Sequence, residues 1–169
     1  MDFEATFARH HPPLFRYLHR LTGDVDVAAD IAQETFVRLL DHRVPEDGVR
    51  SWLFTVATNL VRDGARTRAR RRRLLDGASD HQEPQRPDED LDRMRRIRSV
   101  RRALGDLSAR DREMLLLREE GFRYAEIATL VGVAPASVGK LLARALERFD
   151  SAYRALEIGP TDPSDEGSS

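Results

Sequence analysis

The chain has 169 residues, which is enough for one large domain or two small ones. It contains no cysteine, which excludes disulfides and cysteine-based zinc sites, and it has no run of about 18 apolar residues that would span a membrane. Its N-terminus lacks the basic and then apolar pattern of a signal segment, so we expect a cytoplasmic protein.

The formal net charge of −1 conceals a strong pattern along the chain. Residues 51–76 carry seven Arg against two Asp, residues 77–92 carry six acids against one Arg, and residues 93–150 carry thirteen basic side chains against eight acids. Lys140 is the sole lysine. Arginine favours bidentate contacts with phosphate and base edges, although it is also the usual cation of a GC-rich genome.

The first predicted helix begins near Phe3 and ends at Gly23. Pro12 and Pro13 are expected to kink or restart it, because proline removes a backbone donor and clashes with the preceding turn. Phe3 and Phe7 begin an amphipathic stretch, which Leu14, Leu18 and Leu21 continue at helical spacing.

Two further helices are predicted before residue 76. Asp24 or Asp26 caps the second helix. A loop over residues 42–48 leads to the third, which fades into an arginine-rich run at residues 66–73. The predicted buried faces are Ala28, Ile31, Ala32, Thr35, Phe36 and Leu39 in the second helix and Leu53, Val56, Ala57, Leu60 and Val61 in the third.

The C-terminal block predicts a helix near residues 93–104 followed by a helix-turn-helix. Ser108 opens the next helix with Asp111 as its capping-box partner. The segment from Tyr124 to Val131 predicts a short helix, and Gly132 then provides a tight turn. A final helix starts at Pro135, where a missing N–H is harmless.

The final helix has two distinct faces. Its predicted core face comprises Val138, Leu141, Leu142, Ala145, Leu146 and Phe149. Ser137, Lys140 and Arg144 are left on the outer face, which is the arrangement that a recognition helix needs in a major groove. The alternative is an ordinary helical hairpin with solvated charges.

Three segments together resemble one bacterial family. DIAQETFVR at residues 30–38 resembles the helix by which sigma factors bind core RNA polymerase, and RSWLFTVATNLVRD at residues 50–63 resembles their promoter-melting helix. The helix-turn-helix resembles their domain for the −35 element. The order, spacing and length are similar to those of the extracytoplasmic-function (ECF) sigma factors of the sigma-70 family.

The resemblance implies an all-α fold of two helical domains joined by a flexible linker. It places a region 2-like domain at residues 1–76, an acidic linker at residues 77–92, a region 4-like domain at residues 93–158 and a disordered tail at residues 159–169. The function implied is that of an alternative sigma factor, with core RNA polymerase, promoter DNA and an anti-sigma factor as partners. The polymerase would perform the chemistry, so no enzymatic activity and no cofactor is expected.

The family's roles transfer to matching positions of this chain. Core-polymerase binding maps to Asp30, Gln33, Glu34 and Phe36. Promoter melting and −10 recognition map to Trp52, Asn59, Asp63 and Arg66, and −35 recognition maps to Arg123, Ser137, Gly139, Lys140 and Arg144. Aromatic rings can stack on unpaired bases, and an amide can pair with a base edge. Core packing of Trp52 and Phe54, and simple solvation of Asn59, remain alternatives.

The chain departs from the family's usual third helix. Gly139 and Leu141 stand where basic residues are common, and Arg123 replaces a hydroxyl residue that usually caps the second helix, which would remove about 1 kcal/mol of capping. The loop at residues 42–48 corresponds to the family's base-selecting loop, and the run at residues 66–73 would contact duplex phosphate.

Linker length predicts how the two domains are arranged. A coil of about sixteen residues averages roughly 20–25 Å end to end. The free protein is therefore expected to be compact, with its polymerase and DNA surfaces partly hidden.

Other functions are weighed on the same residues. Residues 134–141 half resemble a phosphate-binding loop, but no strand precedes them and the magnesium-binding hydroxyl is missing. His10 and His11 are adjacent and point in different directions on a helix, so no metal site is expected. A helix-turn-helix regulator that binds DNA without core polymerase is the main alternative, and a helical adaptor acting through protein contacts is another.

Overall fold

A computed structural model describes residues 2–74 and 91–157, and the side chains of residues 68–74 and 157 are outside that description. The predicted tail and most of the predicted linker fall outside the described residues. Residues 91 and 92, predicted as linker, are the first two of a helix. The seven α-helices of the described part are α1 (Phe3–Thr22), α2 (Val25–Asp41), α3 (Val49–Leu74), α4 (Leu91–Gly105), α5 (Ala109–Glu119), α6 (Tyr124–Val131) and α7 (Val138–Glu157).

Helix α1 runs without interruption through Pro12 and Pro13, so it does not restart there, and a kink at the two prolines stays a prediction. The two prolines cannot donate to the carbonyls of Ala8 and Arg9. Both of those residues are exposed, so water can satisfy the carbonyls instead. The helix ends at Gly23, whose φ of 71° is left-handed.

The first unit, defined as α1 to α3, is built around a mixed aliphatic and aromatic core. Asp24 caps α2 by accepting hydrogen bonds from the backbone N–H groups of Asp26 and Val27 at 2.9 and 3.0 Å. Tyr17 is fully buried and its hydroxyl lies 2.8 Å from that of Thr58 on α3. Burial raises the pKa of the Tyr17 phenol.

The second unit, defined as α4 to α7, ends in a helix-turn-helix formed by α6 and α7, and α5 packs against both of these helices. Ser108 caps α5 as predicted, since its hydroxyl accepts from the Asp111 N–H at 3.1 Å. The Asp111 carboxylate does not complete the capping box. It is buried and accepts from Arg148 on α7 at 2.6 Å, because a buried carboxylate needs a cationic partner.

Helix α6 has the predicted bounds, and Gly132 has the predicted positive φ, 71°. Pro135 starts a 3-10 turn, Pro135–Ser137, which leads directly into α7. The prediction that Leu146 faces the core was wrong, because this side chain is 58% exposed. No single described helix is long and apolar enough to cross a membrane, and one bent pair, Tyr124–Val131 with Pro135–Leu156, passes that test by length and composition only.

The two units pack directly on each other. Helix α1 contacts α5, and α3 contacts α6. Phe54 of the first unit and Phe122 of the second are both fully buried, with ring centroids 4.8 Å apart. Arg112 of α5 donates to the carbonyl of Leu21 at the end of α1, at 3.2 Å. The predicted compactness therefore agrees with the contacts between the units.

Candidate nucleic-acid and partner interfaces

Helix α2 presents a polar strip on the surface of the first unit. Asp30, Gln33 and Glu34 lie at positions i, i+3 and i+4, and all three are exposed. Glu34 accepts from Arg38, one turn further along, at 2.8 Å. This surface pair is weak, so a stronger cationic partner can displace Arg38 from the carboxylate.

Phe36 lies beneath the exposed strip, as its place on the predicted buried face of α2 indicated, and not at the surface where the resemblance placed a polymerase contact. It is 2% exposed and packs under Phe7, with ring centroids 4.8 Å apart. An aromatic ring on the inner face of an amphipathic helix is drawn into the core by the hydrophobic effect. Sequence reasoning missed Val37 and Leu40, which are 49% and 62% exposed and flank the polar strip.

Helix α3 presents a second strip, which is exposed along most of its length and at Trp52 packs partly against the core. At about 100° per residue, Trp52, Asn59, Asp63 and Arg66 fall within an arc of roughly 60°. The last three are exposed and Trp52 is half-buried. The Trp52 ring lies 5.3 Å from that of His42, so the helix touches the loop at residues 42–48. This contact brings an aromatic face and the predicted base-selecting loop together.

Phe54 does not contribute to the α3 strip. It is fully buried, and its ring lies 5.1 Å from Tyr17 and 4.8 Å from Phe122, so core packing is the correct interpretation for this residue. Of the basic run at residues 66–73, Arg66 is described and lies 3.6 Å from Asp63 in an exposed pair. The side chains from residue 68 onward lie outside the described residues.

The outer face of the helix-turn-helix also matches the prediction. Ser137, Lys140 and Arg144 are exposed at the start of α7. Arg123 is exposed at the N-cap of α6, and its side chain makes no capping hydrogen bond, as predicted from the missing hydroxyl. The reciprocal half of a capping box is present, because Glu126 accepts from the Arg123 backbone N–H at 2.7 Å. This hydrogen bond lowers the pKa of Glu126.

Gly139 is the second residue of α7, on the side that faces α6, and it is half-exposed. A Cβ at this position would meet the ring of Tyr124 at 3.4 Å. Tyr124 is 47% exposed, and its ring lies 5.4 Å from the guanidinium of Arg118. A side chain at position 139 would therefore be in van der Waals contact with an exposed aromatic ring. Sequence reasoning missed Tyr124 and Arg118, although their closeness to Arg123 in the chain was a signal.

Comparisons with known proteins agree with this geometry. The family model described as Sigma-70 region 2 matches residues 6–71, and the one described as Sigma-70, region 4 matches residues 97–149. The chain is 35% identical to the ECF RNA polymerase sigma factor SigL of Mycobacterium tuberculosis, over 91% of this chain and 86% of that protein. It is 30% identical to the ferric citrate uptake sigma factor FecI of Escherichia coli, over 87% of this chain and 88% of that protein.

Solved structures show the same fold. The sigma factor RpoE of Bartonella quintana, in complex with the anti-sigma factor NepR, superposes with a TM-score of 0.76 at 26% identity, over 90% of this chain and 97% of that one. Two family models in order, relatives of nearly equal length and this superposition agree. The chain belongs to the ECF sigma factors of the sigma-70 family, and it is an alternative sigma factor that directs RNA polymerase.

Proposed function

We propose that the chain directs transcription initiation through three separate surfaces, one each on α2, α3 and the α6–α7 motif. The observation that carries this proposal is that the polar side chains of all three surfaces are exposed at once on one chain. Domain boundaries at residues 1–76 and 93–158 suit this division, with α1 to α3 serving polymerase and melting and α4 to α7 serving the −35 element.

The α2 surface is proposed to bind core RNA polymerase. Asp30, Gln33 and Glu34 supply carboxylate and amide acceptors for a basic partner helix. Val37 and Leu40 add exposed apolar area beside them, and their burial in a complex would strengthen it. Phe36 supports the strip from beneath and does not contact the partner.

The α3 surface is proposed to hold the melted −10 strand. Trp52 offers a stacking face, and the exposed amide of Asn59 offers a donor and an acceptor for a base edge. Arg66, the first arginine of the basic run, is exposed and suits the phosphate backbone. Asp63 lies 3.6 Å from Arg66 in an exposed and therefore weak pair, which phosphate can displace.

The α6–α7 surface is proposed to read the −35 element in the major groove. Lys140 and Arg144 are the longest side chains on the outer face of α7, and Ser137 lies at its start. Arg123 is placed for a phosphate contact at the start of α6. Gly139 is proposed to allow close approach of the backbone to DNA.

Regulation and location remain parts of the proposal. The structure of a relative contains an anti-sigma factor, and we propose that a protein of this kind restrains the present chain as well. The chain is proposed to act in the cytoplasm and to carry no enzymatic activity, because polymerase performs the chemistry.

Co-elution with core polymerase tests the central claim. The double variant Asp30→Arg with Glu34→Arg is expected to lose the one-to-one complex in size-exclusion chromatography, because it reverses the charge of the α2 strip. Glu46→Arg with Asp47→Arg is the matched control, since it makes two reversals at exposed positions of the same unit and should co-elute.

The alternative function predicts a different outcome. A regulator that acts without polymerase would bind its promoter tightly as an isolated protein, and the α2 variant would behave as the wild type. Equal co-elution of the α2 variant and the wild type would remove this surface from the proposal.

A further inference from the structure

The contact between the two units is built on paired charges as well as on apolar area. Arg62 of α3 donates to both carboxylate oxygens of Glu113 on α5, through Nε at 3.0 Å and Nη2 at 2.5 Å. Arg16 of α1 donates to both oxygens of Glu120 at 2.9 and 2.8 Å. Each carboxylate is therefore held by one guanidinium in bidentate geometry, which is the strongest form of this pair.

Both carboxylates are shielded from water. The side chains of Glu113 and Glu120 are 3% and 5% exposed, whereas those of Arg62 and Arg16 are 32% and 50% exposed. A buried carboxylate is unfavourable unless it is paired, so the docked state depends on both arginines. The hydrogen bonds to Glu113 and Glu120 raise the pKa of Arg62 and Arg16, respectively.

A third arginine, next to a pair of aromatic rings, also contributes to the contact between the units. Arg50 donates to the backbone carbonyl of Glu120, and its guanidinium lies 4.0 Å from the ring centroid of Phe122. Phe122 in turn packs on Phe54 of α3. The first unit therefore binds the C-terminal end of α5 at three points: the Glu120 side chain, the Glu120 carbonyl and the Phe122 ring.

This docked arrangement leaves the DNA-reading residues open. Trp52 and Gly139 are half-buried, but Asn59, Asp63 and Arg66 on α3 and Lys140 and Arg144 on α7 are exposed, so the surfaces that were predicted to be partly hidden keep most of their polar side chains accessible. Docking does not cover them because it uses the neighbouring faces of α3 and α5. Docking of the units therefore affects DNA binding through the distance that it sets between the α3 surface and the α7 surface.

The spacing of promoter elements conflicts with the docked arrangement. Elements named for positions −35 and −10 lie about 25 base pairs apart, which is about 85 Å of duplex. A compact body of about 150 residues has a radius of gyration of about 15 Å, so its two surfaces lie within about 50 Å of each other. One docked chain cannot occupy both elements at once.

We propose that the Arg62–Glu113 and Arg16–Glu120 pairs form an electrostatic latch that keeps the free chain closed, and that the latch must break before both promoter elements are bound. The proposal rests on the proposed function. Core polymerase would favour the open form, because it would bind the two units at separate places. The free energy needed to open the chain lowers the apparent affinity of the chain for core polymerase. Arg62 also lies 3.5 Å from the Asn59 amide oxygen, so the Arg62–Glu113 pair of the latch is next to the melting strip.

Distance measurement in the free, full-length chain tests the latch. The chain has no cysteine, so spin labels at Arg20→Cys on α1 and Ala155→Cys on α7 report a single distance between the units. The wild type is expected to give one short distance at low salt. Glu113→Gln with Glu120→Gln is expected to shift most molecules to longer and broader distances, and high salt should shift the wild type the same way.

Two controls separate the latch from folding and from total charge. Asp106→Asn with Glu147→Gln also removes two carboxylates from the second unit, but at exposed positions, and should stay closed. The swap Arg62→Glu with Glu113→Arg restores an opposite-charge pair and should close the chain more than Arg62→Glu alone does. Retained helical circular dichroism would show that the variants are folded.

The outcomes are independent of polymerase. A wild type that is already open, or a Gln variant as closed as the wild type, would overturn the latch. Loss of polymerase binding by the wild type would overturn the proposed function and leave the distances unchanged. If both hold, the Gln variant should form open promoter complexes several-fold faster than the wild type at limiting core polymerase.

Discussion

Arg144 and Arg148 lie one turn apart on α7, but they have different surroundings. Arg144 is exposed on the proposed DNA face, whereas Arg148 donates to the buried carboxylate of Asp111 at 2.6 Å. The two arginines therefore provide a matched pair of substitutions on one helix, one directed at recognition and one at stability.

Arg148→Ala is expected to lower the free energy of unfolding by about 1–3 kcal/mol, because it leaves the Asp111 carboxylate buried without its cation. Arg144→Ala should change it by less than about 0.5 kcal/mol. The second variant should instead weaken holoenzyme binding to the −35 element, by about 1–3 kcal/mol if Arg144 contacts a base. Urea denaturation and binding to native and scrambled elements measure the two effects.

The opposite pattern, with Arg148→Ala impairing recognition and leaving stability intact, would contradict this assignment. A loss for Arg144→Ala that is equal on all sequences, with a smaller salt dependence, would show a phosphate contact in place of base readout.

Glu126 gives the stability of the helix-turn-helix a defined pH dependence. Its pKa lies below the usual 4.5, mainly because the Arg123 backbone N–H donates to the carboxylate. A carboxylate with a depressed folded-state pKa stabilises the fold fully above its unfolded pKa, and this stabilisation is lost as the pH falls through the folded value.

Glu126→Gln is therefore expected to lower the free energy of unfolding at pH 7 by about 0.5–1 kcal/mol, the usual range for a helix cap. The difference from the wild type should shrink below about pH 4.5. Denaturation at a series of pH values checks this, with exposed Glu147→Gln as the control. A difference that stays constant down to pH 3 would mean that the carboxylate charge is not the cause.

At the scale of elements, α3 carries the proposed melting function along one strip. Asn59→Ala is expected to reduce open-complex formation on a native promoter much more than closed-complex binding, because its amide acts only on an unpaired base. Permanganate footprinting on native and pre-melted templates separates opening from base reading. Ala65→Ser, an exposed change on α3 outside the strip and outside the basic run, is the control.

Equal losses for Asn59→Ala on both templates would assign this residue to base recognition. No loss on either template would remove Asn59 from the site and favour the simple solvated role.

Local signals predicted most elements correctly, and long-range contacts were not predictable from them. Helix α6 and the Gly132 turn follow from periodicity and from glycine's access to positive φ, both of which are local. The acidic partners of Arg62 and Arg148 lie 51 and 37 residues away in the chain. No spacing rule connects such positions, so Asp111 was misassigned to a cap.

Burial also depends on packing that one helix does not reveal. Phe36 and Phe54 lie in segments where the resemblance suggested contacts with partners, and both are almost fully buried. Their partners come from other helices, Phe7 of α1 for Phe36 and Phe122 of the second unit for Phe54. Helical periodicity had already placed Phe36 on the buried face of α2, and the structure confirms it. For Phe54 core packing was one of two alternatives, and the contact with Phe122 of the second unit decides between them.

At the scale of the whole molecule, the contact between the units should determine how the chain unfolds. Paired charges and the Phe54–Phe122 contact couple the units, so the wild type is expected to unfold in one calorimetric transition at low salt. Glu113→Gln with Glu120→Gln should uncouple them and give two transitions. A single transition of unchanged width in this variant would show that the apolar contact alone couples the units.

The exposure of both DNA-reading surfaces in the closed chain bears on where the protein waits between rounds of transcription. Basic side chains on α3 and α7 remain available to duplex phosphate, and a genome offers roughly a million or more non-specific sites. The resting protein is thus expected to be stored along the chromosome, with its search for promoters proceeding by sliding and hopping. Polymerase would then recruit it from a reservoir on DNA, and this reservoir should shrink as intracellular salt rises.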